Sequence, residues 1–281
     1  MQAQTTLTEN STIQYWTYHQ SKKPTIVMIH GFTGNHEGFQ YIEPLLKEYR
    51  LIIPDLPGFG ASTITRDDWS IDSIAALLND FVASLKLKEP PFIFGHSMGG
   101  LVVSSMLSQA PVGLYDPHAI LLSPVPTPIR KNDARRPGAI LGALQYKIGA
   151  HGGRAGKKLV TSRTISRALT SFIMTTTDKQ LRTEIYHHHF KNLEYISSIE
   201  FYSKLYTDIN RLGAISYKDA LRRYKVLLIT GDADTVTPLR EERKLIDAIT
   251  PEQVIVLEGV GHLTHYERAP EVARAVQTFL K

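Results

Sequence analysis

One hexapeptide, Gly95-His96-Ser97-Met98-Gly99-Gly100, constrains the fold more than any other part of the sequence. It follows a short apolar run at 91–94, which predicts a buried strand, and precedes residues 101–107, which are apolar at helical spacing. A serine flanked by glycines at such a turn forms a nucleophile elbow, since small residues let the neighbouring backbone pass closely. The pattern therefore predicts that the Ser97 hydroxyl stands clear of a sheet, beside the N–H groups that open a helix.

The sequence on both sides of this turn alternates between strand-like and helix-like patterns. Apolar runs of strand length lie at 25–29, 50–53, 119–122, 224–229 and 253–257. Helical spacing is found at 69–87, 239–249 and 270–280 and around Tyr41, Leu45 and Leu46. Residues 12–18 alternate in polarity and predict an antiparallel strand near the sheet edge. Together these patterns predict an α/β fold, with a mostly parallel central sheet and helices on both faces.

A basic stretch interrupts the alternation. Residues 126–218 contain 16 Lys and Arg but 6 Asp and Glu, whereas the rest of the chain contains 16 and 21. Helical patterns near 162–175 and 178–205 predict a helical insert at 126–218, between the two parts of an α/β core at 1–125 and 219–281. Its positive charge favours an anionic leaving group, an acyl carrier protein or an anionic membrane surface as partner. No nucleic acid is expected, because no nucleic-acid-binding motif accompanies the charge.

Carboxylates and histidines follow two of the later strands, where they can complete the chemistry of Ser97. A serine hydroxyl needs a base, and the base needs a carboxylate to orient it. Asp232 and Asp234 follow one strand, and His262 and His265 follow the next. Functional groups gather beyond the carboxyl ends of parallel strands. We therefore expect the serine, one aspartate and one histidine to meet at one rim of the sheet.

These motifs together resemble those of the α/β-hydrolase-fold serine hydrolases, over essentially the whole chain. The segments that carry the resemblance are His30-Gly31-Phe32, Asp55-Leu56-Pro57-Gly58-Phe59-Gly60-Ala61-Ser62, Gly95-His96-Ser97-Met98-Gly99-Gly100, Gly231-Asp232-Ala233-Asp234 and Gly261-His262. The chain looks like the capped, esterase- and lipase-like branch of that family. The epoxide hydrolase and dehalogenase branches use an Asp nucleophile, so Ser97 speaks against both.

The resemblance also implies roles for individual residues. The family acid lies three residues after the strand-terminal glycine, which favours Asp234 over Asp232, and a position after Gly261 favours His262 over His265. His30 and Asp55 are expected to hold their loops. The functional residues implied are the catalytic Ser97, Asp234 and His262, the backbone N–H groups of Phe32 and Met98 as oxyanion hole, and Gly31, Phe32 and His96 for substrate binding.

No cofactor and no metal are expected for this chemistry. The chain has no cysteine, which excludes disulfides and thiolate zinc sites. The run His187-His188-His189 is not expected to bind metal, because consecutive helical residues point in different directions. The polar start of the chain does not have the pattern of a signal peptide, and no apolar run is long enough to span a bilayer, so the cytoplasm is the expected location.

The predicted activity is hydrolysis of carboxylic esters with apolar acyl groups, through an acyl-enzyme. Side chains of the insert are expected to contribute to the acyl pocket, namely Phe172, Ile173, Met174, Tyr186, Phe190, Tyr195 and Phe201. Two alternatives stay open. The same triad can cleave a C–C bond or act as a cofactor-free perhydrolase, and the fold can serve as a small-molecule receptor that barely turns over.

Overall fold

Eight strands form one sheet in the computed structural model, which describes residues 2–8, 11–64, 69–128, 145–149, 151–196 and 198–281. The strands in these residues are β1 Gln2–Thr8, β2 Ser11–Tyr18, β3 Thr25–Ile29, β4 Arg50–Pro54, β5 Phe92–His96, β6 His118–Leu122, β7 Lys225–Gly231 and β8 Gln253–Leu257. Their order across the sheet is β1-β2-β4-β3-β5-β6-β7-β8. The pairs β1–β2 and β2–β4 are antiparallel and all others are parallel. The predicted α/β fold with a mostly parallel sheet is confirmed.

The central strands β3, β5, β6 and β7 are buried on both faces. Their side chains alternate between two apolar cores, so that Val27 and Ile29 lie in one core and Ile26 and Met28 in the other. Burial on both faces explains why the sequence of these strands is continuously apolar rather than alternating. Because these strands are parallel, their carboxyl ends share one rim of the sheet.

Helices cover both faces of the sheet and fill the connection between β6 and β7. They are α1 Ile71–Ser84, α2 Met98–Gln109, α3 Gly153–Val160, α4 Arg163–Ile173, α5 Lys179–Leu193, α6 Ile199–Arg211, α7 Lys218–Leu221, α8 Leu239–Ile249, α9 Thr264–Glu267 and α10 Ala269–Phe279. Residues 145–149 are also helical. In the part of the chain that is described, no helix combines the length and the apolar character needed to cross a membrane.

We call the described residues 145–149, 151–196 and 198–211, which lie between β6 and β7 and are mostly helical, the insert. The chain leaves the sheet layer at 125–127 and returns to it at 213–215, and these two segments lie side by side. Ala214 N donates to Val125 O at 2.8 Å, and Ile215 N donates to Pro126 O at 3.0 Å. A Cβ on Gly213 would lie 2.5 Å from the Thr127 Cα, so only glycine permits this approach.

The helical pattern at 178–205 is two helices, α5 and α6, rather than one. Asp178 caps the first through the N–H groups of Gln180 and Leu181, and Ser198 caps the second by accepting from Phe201 N. A side chain that accepts a hydrogen bond in this way starts a new helix, because it satisfies N–H groups that have no partner in the first turn. The continuous apolar pattern did not reveal this break.

Residues 12–18 form the predicted antiparallel strand near the sheet edge, β2, but two other features near the amino-terminal end differ from expectation. The edge of the sheet is β1, and β2 lies one position further in. β1 is a polar strand held by pairing with β2, so no apolar pattern marks it in the sequence. The segment that carries Tyr41 and Leu45 forms two 3₁₀ turns, His36–Phe39 and Glu43–Leu46, in place of a helix. Pro44 is the second residue of the later turn, a position where the N–H that proline lacks would have no partner.

Candidate active site

Ser97 lies in the sharp turn between β5 and α2, in a backbone conformation that serine rarely adopts. Its φ and ψ are +56° and −120°, and its N–H donates to Leu122 O at 3.0 Å. The turn depends on the glycines around it, since a Cβ on Gly95 would lie 2.4 Å from Gly99 O. A Cβ on Gly99 would lie 2.2 Å from Ile29 O on the neighbouring strand β3. Strain of this kind is typical of functional sites.

His262 and Asp234 form a hydrogen-bonded chain that ends at Ser97. The Ser97 hydroxyl lies 2.8 Å from His262 Nε2, and His262 Nδ1 lies 2.7 Å from Asp234 Oδ2. The side chains of both partners are buried. An ionised carboxylate only accepts hydrogen bonds, so Nδ1–H donates to Asp234 and Nε2 is left to accept the Ser97 proton. The arrangement gives the imidazole the tautomer that a general base requires.

Asp234 is held as an anion by the residues that follow it. Its Oδ1 accepts from the N–H groups of Val236 at 2.7 Å and Thr237 at 2.8 Å, and its Oδ2 accepts from the Thr237 hydroxyl at 2.7 Å. Burial opposes ionisation of this carboxyl, but His262 and the Thr237 donors outweigh burial and hold its pKa below the ordinary value. The buried acid beside the base is therefore charged.

Asp232 has a different position. It is exposed, and its Oδ1 accepts from Gly259 N at 2.7 Å, so it ties the end of β7 to the loop that carries His262. His265 is buried next to His96, with ring centroids 3.9 Å apart, and has no hydrogen bond to Ser97. Among the described residues only His262 makes a histidine hydrogen bond to the serine hydroxyl.

The loop after β3 lies close to Ser97. A Cβ on Gly31 would lie 3.1 Å from the Ser97 Cβ, which places this loop against the serine. His30 holds the loop, because its Nε2 accepts from Leu56 N at 3.0 Å and its Nδ1–H donates to Gly31 O at 2.8 Å. Met98 is the first residue of α2, so its N–H has no acceptor within the helix. Met98 follows Ser97 directly, and Phe32 follows Gly31 in the loop that lies against Ser97.

Asp55 fastens the loop after β4 to the segment that follows the Gly31 loop. Its Oδ1 accepts from the His36 backbone at 2.7 Å and from His36 Nδ1 at 2.9 Å, and its Oδ2 accepts from Ala61 N at 2.7 Å. The His36 ring stacks on Trp16 with centroids 3.3 Å apart. Asp55 does not contact Ser97, His262 or Asp234 in these interactions, and its position is that of a structural residue.

His96 is buried beside the His262 loop. Its Nε2–H donates to His262 O at 3.3 Å, and burial, together with the neighbouring His262, lowers its pKa to about 3. With so low a pKa His96 is neutral near neutral pH and is a poor proton acceptor. Burial also lowers the pKa of His265, with His96 as the next cause.

The three consecutive histidines of α5 point in different directions. His187 is exposed, His188 accepts from Gln40 Nε2 at 2.7 Å, and His189 hydrogen-bonds to the Thr170 hydroxyl at 2.7 Å. Within the described residues, no group of three or more His, Asp and Glu side chains is arranged to hold a metal ion. His189 instead lines the cavity around Ser97, a position that sequence reasoning missed.

Two adjoining cavities lie near Ser97, and the serine lines the first of them. The first, of about 100 Å³, is lined by Ser97, His262, Gly31, Phe32 and a group of polar side chains, among them Asn35, His96, His189, Asn192 and His265. The second, of about 160 Å³, lies between the Gly31 loop and the insert. Its lining is largely apolar and includes Phe32, Tyr146, Val160, Leu169, Ile173, Leu193 and Tyr206. Phe32, Thr33, Ile173 and His189 line both cavities, which makes the site two-lobed.

The insert contributes different residues from those expected. Of the seven apolar residues expected to form an acyl pocket, only Ile173 lines either cavity. Phe172 is 53% exposed, and Tyr186 and Phe190 pack on each other and on the body of the protein. Tyr146 and Tyr206, which sequence reasoning did not select, pack edge-on against Phe32 at 5.1 Å each. Helical periodicity identifies the face of a helix that is buried. It does not show whether a residue on that face packs in the protein core or lines a cavity.

A sequence model of the α/β hydrolase fold family matches residues 24–269. Lipase 1 of Psychrobacter immobilis is 26% identical over 266 residues, which cover 90% of this chain and 76% of the relative. Lipase 3 of Moraxella sp. (strain TA144) is 36% identical over 87 residues, 31% of this chain and only 28% of the relative. An esterase from Rhodococcus sp. ECU1013 has a similar structure, with a TM-score of 0.79, 20% identity and coverage of 100% of this chain and 98% of the esterase.

Proposed function

The chain belongs to the α/β hydrolase fold family, and on this basis we propose that it is a serine hydrolase that cleaves carboxylic esters. One observation carries the proposal. The strained Ser97 hydroxyl, His262 and the anionic Asp234 form a continuous chain of hydrogen bonds of 2.8 and 2.7 Å. A nucleophile, a base in hydrogen-bond contact with it and a carboxylate that orients the base are what acyl transfer requires.

In the proposed first step, His262 Nε2 takes the Ser97 proton while the hydroxyl oxygen attacks the ester carbonyl carbon. The carbonyl oxygen becomes an anion, which the N–H groups of Phe32 and Met98 stabilise. The imidazolium is stabilised by Asp234 and donates its proton to the alkoxide oxygen, so the alcohol leaves and an acyl-Ser97 ester remains. Water then attacks this ester with the same base, which releases the acid and restores Ser97.

The apolar cavity fits the acyl half of the substrate. An apolar cavity of about 150 Å³ holds one benzene molecule, so the cavity of about 160 Å³ suits an acyl chain of about four to six carbons. Phe32, Leu169 and Leu193 supply apolar contacts there. The polar lobe around Ser97 suits the alcohol half, and none of the described residues that line either cavity is Lys or Arg. A small uncharged alcohol therefore suits this lobe better than an anionic one.

The cations of the insert favour an anionic lipid surface as partner. Lys147, Arg154, Lys157 and Lys158 are exposed, and within the described residues they make no ion pair with a carboxylate. They lie on the helical segments whose residues Tyr146 and Val160 roof the apolar cavity, next to Ile148, which is 49% exposed. Each cation near an anionic membrane contributes about 1 kcal/mol of attraction. Such a surface would present the cavity to substrates that partition into lipid.

The proposal is tested by turnover of p-nitrophenyl esters from acetate to palmitate, with Ser97→Ala as control. Turnover that disappears in Ser97→Ala supports the serine esterase, and activity that survives in it contradicts the proposal. A single burst without further turnover would favour the receptor alternative. A folded protein inactive on every ester but active on a diketone or with peroxide would move the assignment to C–C hydrolysis or perhydrolysis.

A further inference from the structure

Residues 172–175, at the carboxyl end of α4 in the insert, contact both loops that carry His262 and Asp234. Ile173 O accepts the backbone N–H of His262 at 2.9 Å. Phe172 O accepts from the hydroxyl of Thr235, the residue after Asp234, at 3.1 Å. The base thus depends on a residue of the insert, 89 positions away in the sequence, to satisfy its own backbone. A buried N–H that loses its hydrogen-bond partner is destabilising, because no water replaces the lost acceptor.

Thr175 connects the same segment to the loop of the base by its side chain. Its hydroxyl oxygen accepts from Gly261 N at 3.1 Å, directly before His262. A Cβ on Gly261 would lie 2.7 Å from Ile173 O and 3.3 Å from Thr175 Cγ2. The absence of a side chain at Gly261 is therefore what lets the insert come this close to the base.

Glu267 fixes Thr175 from the other side. Its two carboxylate oxygens each lie 3.0 Å from Thr175 N, and Oε2 accepts from the Thr175 hydroxyl at 2.6 Å. Because that hydroxyl gives its proton to Glu267, its oxygen lone pairs face Gly261 N. Glu267 is the last residue of α9, five positions after His262. The segment that follows His262 therefore binds Thr175, and Thr175 in turn binds Gly261, the residue before His262.

We propose that Thr175 and Glu267 are positioning residues, which align the His262 imidazole with Ser97 only while the insert is seated. This inference rests on the proposed function. Misplacement of a catalytic group by about 1 Å can cost about 100-fold in rate, and the N–H groups of Gly261 and His262 both donate to acceptors of the insert. A seated insert therefore both roofs the acyl cavity and completes the base, so that catalysis is coupled to closure over substrate.

The insert also touches the body elsewhere, which provides a matched control. Lys191 of α5 pairs with Glu37 at 2.6 Å, in the turn after the Gly31 loop. This ion pair joins the insert to the body of the protein. Neither side chain forms a hydrogen bond or ion pair with the loops that carry His262 and Asp234. Breaking it removes one contact between insert and body but leaves the hydrogen bonds of Gly261 and His262 to the insert in place.

The test compares Thr175→Val and Glu267→Ala with the rescue variant Thr175→Ser and the control Glu37→Gln. Measured quantities are kcat and KM for p-nitrophenyl butyrate, the melting temperature, and the rate at which a fluorophosphonate labels Ser97. Loss of one hydrogen bond of about 1 kcal/mol corresponds to about fivefold in rate. We expect Thr175→Val and Glu267→Ala to lower kcat and labelling at least fivefold with KM nearly constant, and Thr175→Ser to recover most of both.

Wild-type kcat and labelling in Thr175→Val would overturn the inference, as would equal losses in Glu37→Gln at equal melting temperature. Labelling reports on the alignment of base and serine without ester turnover. The inference can thus fail while Ser97→Ala still abolishes esterase activity, and the esterase assignment can fail while the labelling rates still test the inference.

Discussion

The rings of His96 and His265 lie 3.9 Å apart, and both line the cavity that contains Ser97 and His262. Neither can be protonated without placing a charge beside another buried imidazole. The cavity therefore holds neutral, polar groups next to His262, whose Nε2 hydrogen-bonds to the Ser97 hydroxyl.

Stability is expected to fall steeply as the pH drops below about 6.5. The pKa of His96 is about 3 in the folded protein, so between pH 7 and 5 only the unfolded chain takes up this proton. That difference removes about 2 kcal/mol of stability over this range, and the lowered pKa of His265 acts in the same direction. Urea unfolding followed by circular dichroism at pH 7 and pH 5 measures the loss. His265→Asn should flatten the dependence, and equal stability at both pH values would contradict the prediction.

Asp234→Asn should lower kcat by about 10⁴ with little change in fold, because an amide cannot hold the His262 tautomer that accepts from Ser97. Asp232→Asn is the matched control, since Asp232 is exposed and holds only Gly259 N. Steady-state kinetics with p-nitrophenyl butyrate distinguish the two variants. Similar losses in both would point to the loop, rather than to the carboxylate beside His262, as the cause.

Acyl selectivity should peak at about four to six carbons and shift when the apolar cavity is enlarged. Leu169→Ala opens this cavity, so the optimum of kcat/KM should move to longer p-nitrophenyl esters. Leu181→Ala, which truncates an apolar side chain of α5 that lines neither cavity, should leave the profile in place. A profile that is flat from acetate to palmitate would show that the substrate acyl chain does not enter the cavity.

The double variant Lys157→Glu, Lys158→Glu should weaken binding to vesicles that contain phosphatidylglycerol. If each lysine contributes about 1 kcal/mol of attraction, the two substitutions remove about 2 kcal/mol of attraction and add a similar repulsion from the new carboxylates. Lys22→Glu, Lys47→Glu reverses two exposed cations just before β3 and β4, at the opposite end of the sheet from Ser97, and should bind like the wild type. Cosedimentation at low and high salt measures binding. Retention of the double variant by these vesicles would contradict the lipid-surface proposal, and wild-type binding to an acyl carrier protein alone would favour that partner instead.

Local sequence patterns predicted the features that have a local cause. The elbow at Ser97 is marked by its glycines, the parallel strands by continuous apolar runs, and α8 by its spacing at residues 239–249. The fold prediction is confirmed, while the catalytic roles of Ser97, His262 and Asp234 stay predictions whose geometry is now known. β1 was not predicted, because backbone pairing with β2 positions this strand and its sequence has no apolar pattern.

The contacts of the insert could not be predicted in the same way. Thr175 and Glu267 are 92 residues apart, and neither belongs to a pattern that indicates a role. Tyr146, Tyr206 and His189 reach the cavities through the packing of the insert on the Gly31 loop, which periodicity within one helix does not encode. Such residues are found only when the tertiary arrangement brings their elements together.

The paired segments at 125–127 and 213–215 make the intervening helices a cassette, because the two ends of the insertion nearly coincide. A replacement of different length or shape can be joined at these points without any change in the spacing of the strands that carry Ser97, Asp234 and His262. Substrate range can therefore evolve by exchange of the cassette while the reaction stays the same. The contacts at 172–175 set a condition on every such exchange, if His262 is the proposed base. A new cassette must again offer acceptors to the N–H groups of Gly261 and His262 to keep the His262 loop in place.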